Sequence, residues 1–165
     1  NFVFRISNLN FMLPVKPFIQ SKAYCGPAVL KMVLEYFGVE KSEKELAKLC
    51  CSNRNLGTHA KDIVRVARSL GFKTLLKDFA DISDIRMWVK KKTIPVIVDW
   101  FETDDGHYSV VADIDMKYIY LQDPALGRIR RLDIATFKRI WFDFRGPFLK
   151  SKQAIVIRRL IVIYP

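Results

Sequence analysis

The chain has 165 residues, half of them hydrophobic and 13% aromatic, which suits one packed domain over residues 1–165 and excludes a disordered chain. Twenty-eight Lys and Arg against 17 Asp and Glu leave a formal charge of +11, which favours an acidic partner (nucleic acid, anionic lipid, an acidic peptide or another subunit) without choosing among them. Three cysteines, two of them adjacent, do not make a disulfide framework, so a reducing compartment such as the cytoplasm is expected.

An irregular lead-in with Pro14 and Pro17 precedes the first periodic segment, where Val29, Leu30, Val33, Leu34 and Phe37 share one helical face and Gly38 stops the helix. Ser42 and Glu45 have capping-box spacing for a short second helix ending near Cys50 and Cys51. A third helix is predicted after Thr58, with Ile63, Val66, Ala67 and Leu70 buried, and a fourth from Ile82 to Lys91. The texture then changes to strand-length runs, "TIPVIVDW", "HYSVVADI" and "KYIYLQD". A short helix over Ala135–Trp141 and a closing strand, "QAIVIRRLIVIY", complete the reading. Helices first and antiparallel strands afterwards indicate an α+β fold. No apolar run is long enough to span a bilayer, and there is no signal-peptide pattern.

In "QSKAYCGPAVLKMVLEYFG", Gly26 permits a tight turn and Pro27 suits a first-turn position, which puts Cys25 at the N-terminus of the first helix. Unpaired N–H groups and the helix dipole favour a thiolate there. On position alone, a buried structural thiol is the commoner outcome. A nucleophilic thiol needs a base, and the chain offers two histidines. His107 stands at the entrance of a predicted strand, a rigid platform, whereas His59 in "GTHAKDI" reads as a solvated first-turn residue. Asp123 in "YLQDPAL" ends the next strand, and a hairpin would bring it back beside His107 to orient the imidazole. Read alone, Asp123-Pro124 is an ordinary turn.

The ordered segments "YCGPAVLKMVLEYFG", "GTHAKDIVRVARSLGF", "PVIVDW", "GHYSVVADI" and "LQDPALG" resemble the bacteriocin-processing cysteine peptidase domain of the papain-like superfamily, most closely over residues 17–145. The opening segment is also similar to that of phytochelatin synthases. The resemblance implies a papain-like fold, with N-terminal helices packed on a C-terminal antiparallel sheet. It implies Cys25 as nucleophile, His107 as base, Asp123 as the residue orienting it, and Gln20 as side-chain donor of the oxyanion hole. It further implies a peptide or protein substrate cut after glycine or another small residue in a leader peptide. Membrane association would come through a further region or partner, at the cytoplasmic face. Two departures stand out. Gln20 lies five residues before Cys25 where the family's glutamine lies six, and Tyr24 occupies a position that is often acidic in leader peptidases.

Other chemistries fit less well. No C-x-x-C or H-x-x-x-H spacing occurs, so no metal and no cofactor is expected, and no G-x-x-x-x-G-K motif is present. A nucleic-acid-binding surface is the non-enzyme alternative, built from Lys61, Arg65 and Arg68, from Lys90, Lys91 and Lys92, and from Arg128, Arg130 and Arg131. It ranks lower because the charges fall on different elements without a base-reading motif. An inactive papain-like module that only binds peptides is a third reading, disfavoured by the joint presence of Cys25 and His107. The positive charge suggests a substrate with an acidic segment.

Overall fold

The computed structural model describes residues 12–165 except Leu56 and Asp104. Helix α1 (Cys25–Tyr36) is followed by α2 (Glu43–Leu49) and α3 (Ala60–Ser69). Strand β1 (Lys73–Lys77) precedes α4 (Ile82–Arg86), which runs on as a π-helical turn over Met87–Lys91. Four strands follow, β2 (Val96–Glu102), β3 (Asp105–Ile114), β4 (Tyr118–Asp123) and β5 (Arg128–Asp133). Helix α5 (Ile134–Ile140) leads into β6 (Phe142–Asp143), β7 (Val156–Ile157) and β8 (Arg159–Tyr164). The main sheet has the order β1-β8-β2-β3-β4-β5 with every neighbour antiparallel, and β6 and β7 pair separately.

α1 packs on β3, α2 and α3, while α3 covers β1 and β8. Leu30, Met32, Val33 and Leu34 of α1 are fully buried, and each such side chain contributes about 1.5–3 kcal/mol. Ser42 caps α2 by accepting from Glu45 N–H at 3.1 Å, as the spacing predicted. A bulge in β3 between Val111 and Asp113 leaves the Ala112 carbonyl to accept from Leu13 N–H at 2.9 Å. That bond ties the lead-in to the sheet.

Four details differ from the sequence reading. β1 and β5 form at the sheet's two edges from "KTLLK" and "RIRRLD", where charge masked the alternation. The fourth helix is an α-turn plus a π-turn. The closing strand is interrupted at Arg158, whose φ is +49°, and its second half lies between β1 and β2, one strand in from the sheet's edge. Gly26 makes no tight turn but sits inside α1 against Thr58. A Cβ there would fall 2.5 Å from Thr58 Cβ, so the residue is small because a neighbour packs on the helix.

Candidate active site

Cys25 is the first residue of α1 and is half-buried. Tyr24, the residue before it, offers no side-chain cap, and the first turn contains no acid. Pro27 lacks an N–H, and Ala28 N–H is already bonded to Tyr24 O at 3.0 Å. The remaining first-turn N–H groups therefore stay available beside the sulfur. The turn that delivers Cys25 is closed by Tyr24 N–H to Ser21 O at 3.0 Å, with Ala23 at φ +66°.

β2 and β3 pair with Trp100 opposite His107, and β3 pairs with β4 through Val110 and Gln122. Asp123, one residue beyond Gln122, thereby comes beside the imidazole: His107 Nε2 lies 2.8 Å from Asp123 Oδ1. Nε2 is thus taken by the carboxylate, which leaves Nδ1 to face the thiol. His107 is 8% exposed and Asp123 is fully buried. Burial alone would lower the His107 pKa. The Asp123 hydrogen bond, followed by the adjacent Cys25 side chain, overcomes it and holds the imidazole up to about 9. Burial works against the charge of Asp123 too, but its bonds to His107 and to Ala125 N–H (2.9 Å), with Arg130 nearby, keep its pKa below the ordinary carboxylate value.

Gln20 reaches this region through its backbone, donating N–H to Pro124 O at 2.9 Å. Its Oε1 is buried without a hydrogen-bond partner. His59 is exposed at the N-terminus of α3, where its Nε2 meets the Arg145 guanidinium. Burial, then the Arg145 charge, lowers its pKa. Cys50 is buried at the end of α2, and its thiol is pushed up to about 12, chiefly by that burial. Cys51 is exposed.

The structure thus brings Cys25, His107 and Asp123 together, sets Gln20 beside the Asp123 turn, and leaves His59 apart from the pair. It also adds residues that the sequence reading passed over as site members. Arg130, read as part of a basic run, donates Nε to Asp123 Oδ2 at 2.7 Å and Nη1 to Glu102 Oε1 at 3.1 Å. Its guanidinium lies over the Trp100 ring, which packs edge-to-face with His107. Asp99 and Asp143 line a cavity next to Cys25; an aspartate in the otherwise apolar "TIPVIVDW" was the available signal for the first. Several charges of the nucleic-acid reading are also engaged. Arg65 is bonded to Asp62, Arg68 to Thr74, and Lys90 to the buried Asp113.

Among the described residues no helix is long and apolar enough to cross a membrane, and no cluster of three or more metal-ligating side chains occurs. Comparison with known proteins adds four findings. Residues 18–144 match the Peptidase C39 family. An uncharacterized protein of Methanothermobacter marburgensis is 39% identical over 117 residues, covering 70% of this chain and 76% of that protein. The lactococcin-G-processing and transport ATP-binding protein of Lactococcus lactis subsp. lactis is 30% identical over 124 residues, 74% of this chain but 17% of that larger protein. The crystal structure of the peptidase domain of Streptococcus ComA, a bifunctional ABC transporter, superposes with a TM-score of 0.70 at 27% identity, covering 92% of this chain and 98% of that one. The expected α+β, papain-like architecture is the one found. With the family matched from Phe18 to Phe144, this chain belongs to the Peptidase C39 family and is a cysteine peptidase.

Proposed function

We propose that Cys25, His107 and Asp123 act as the catalytic triad of this peptidase and that its substrate is a leader-type peptide cut after glycine or another small residue. The observation that carries the reading is the 2.8 Å His107–Asp123 contact, with the same imidazole set against the thiol at the start of α1. His107 takes the Cys25 proton, and the resulting imidazolium is held by Asp123. The sulfur attacks the scissile carbonyl, and first-turn N–H groups with the Gln20 carboxamide stabilise the oxyanion. His107 then protonates the leaving amine, and water, deprotonated by the same imidazole, resolves the thioester. The leader-peptide substrate is supported by the lactococcin-G-processing relative, and the same relative supports a location at the cytoplasmic face of a membrane.

Alkylation rates of the three thiols test the triad. Cys25 is expected to react well ahead of the exposed Cys51 near neutral pH, and the buried Cys50 to stay silent. His107→Ala should bring Cys25 down to the rate of Cys51. Equal rates for Cys25 and Cys51 in the unmodified protein would remove the case for Cys25.

A further inference from the structure

The cavity beside Cys25 has a floor that the hydrolytic steps leave unused. It encloses about 460 Å³ between Cys25, Thr58 and Tyr108 on its walls and Asp99 and Asp143. Asp99 comes from the interior of β2, is 2% exposed, and keeps an Oδ1 with no hydrogen-bond partner. A carboxylate in that condition is costly unless something pairs with it.

Its protein neighbours supply the pairing only in part. Arg159 approaches Asp99 Oδ2 only to 3.9 Å, because its fork is committed to Asp78 at 2.7 and 2.8 Å. The Tyr108 hydroxyl, from the residue opposite Asp99, is shared between Thr58 O at 3.4 Å and the Asp99 carboxyl, whose charge it favours without offsetting the burial. A third group that meets Asp99 is a second carboxyl, Asp143. It reaches the floor over Gly106, where a Cβ would fall 2.0 Å from Asp143 Oδ1. Burial, and for Asp99 also the facing charge of Asp143, pushes both carboxyls above the ordinary range. Two carboxyls in one corner, Asp99 buried and Asp143 half-buried, with an Asp99 oxygen left unpartnered, form a site that a positive ligand would complete. Arg54, Asp105 and Arg145 lie exposed at the mouth and are screened by solvent, so the low-dielectric end of the cavity is the negative one.

We propose that Asp99 and Asp143 form a cation-binding subsite that takes a positive group of the substrate peptide, a basic side chain or its N-terminal ammonium, within a few residues of the bond presented to Cys25. The position relative to the cut rests on Cys25 being the nucleophile; the binding does not. The cation replaces the proton that the pair otherwise shares, so affinity rises with pH. Asp143, Tyr108 and Arg159 set the titration of Asp99, and Asp105 and Arg145 modulate Asp143.

The test uses the Cys25→Ala protein, which binds without turnover, and calorimetry with alanine-glycine hexapeptides carrying arginine at each position in turn. Each is compared with its citrulline twin, which has the same shape without the charge, and with acetylated and free N-termini. At one position arginine should bind roughly tenfold or more tighter than citrulline, increasingly so as pH rises. Asp99→Asn and, separately, Asp143→Asn should erase the difference. A gain that follows the free N-terminus alone identifies the cation as the terminal ammonium. Equal affinity for arginine and citrulline with no gain from a free N-terminus, a gain that survives both variants, or no binding by any peptide overturns the subsite. The protein with Cys25 intact is then assayed for cleavage of the same peptides. Cleavage without preference for a positive group counts against the subsite alone, whereas charge-dependent binding without cleavage or fast Cys25 alkylation counts against the triad alone.

Discussion

Arg130 and His107 hold opposite oxygens of one buried carboxylate: Arg130 Nε donates to Asp123 Oδ2 at 2.7 Å, and His107 Nε2 meets Oδ1 at 2.8 Å. The guanidinium fixes the plane of Asp123 and also draws on its negative charge. Arg130→Met should therefore lower kcat by up to about a hundredfold through misorientation. It should also raise the His107 pKa, because the imidazolium no longer shares the carboxylate, and so move the alkaline limb of the pH–rate profile upward. Arg130→Lys keeps a charge without the fork, so it should restore the limb more fully than the rate. The loss of a charged hydrogen bond adds a stability cost of roughly 1.5–3 kcal/mol. A variant that melts earlier with an unchanged pH profile would make Arg130 merely structural.

The raised pKa of His107 fixes two signs. In the proposed triad the imidazolium protonates the leaving amine, so kcat/KM should fall as pH rises through about 9, not near 6.5. Asp123→Asn removes the charge that supports it and should bring that limb down toward neutrality. Stability follows the same direction: a histidine whose pKa is raised on folding contributes fully below pH 6.5, and the contribution disappears as pH climbs through about 9. A rise of that size corresponds to about 3 kcal/mol. Thermal melts across that window, compared with His107→Gln, measure it, and parallel curves would contradict it.

Cys25, His107 and Asp123 were legible as candidates because each stands at the end of a regular element with a strong local signature: an apolar helical face, an alternating strand and a strand-terminating Asp-Pro. β1 and β5 were not. At a sheet edge one side of the strand faces solvent, and the Lys and Arg that suit such an edge hide the alternation. Arg130 was read as surface charge for the same reason, since nothing local shows that it turns inward to Asp123. The Asp99–Asp143 contact was illegible because it joins residues 44 positions apart through the packing of the two-residue strand β6 against β2.

Gly26 offers a test of packing independent of chemistry. Thr58 lies against its Cα, and the Thr58 hydroxyl is held by Ser52 at 2.7 Å, so the neighbour is not free to withdraw. Gly26→Ala should cost roughly 1–3 kcal/mol by overpacking, despite the better helix propensity of alanine. The melting temperature should fall by several degrees. If it rises, the contact at Thr58 is softer than the geometry requires.

Gln20 carries the sharpest prediction about the oxyanion. Its backbone is anchored to Pro124 and its carboxamide Nε2 is the group able to donate, but it stands one residue nearer Cys25 than the resemblance would place it. A donor to the oxyanion matters only while a tetrahedral centre forms. Gln20→Ala should therefore cut peptide cleavage by about a hundred- to a thousandfold. Alkylation of Cys25 by iodoacetamide, a displacement with no oxyanion, should be unchanged. Equal losses in both reactions would mean that Gln20 shapes the Cys25 turn instead. A loss in neither would assign the oxyanion to the first-turn N–H groups of α1 alone.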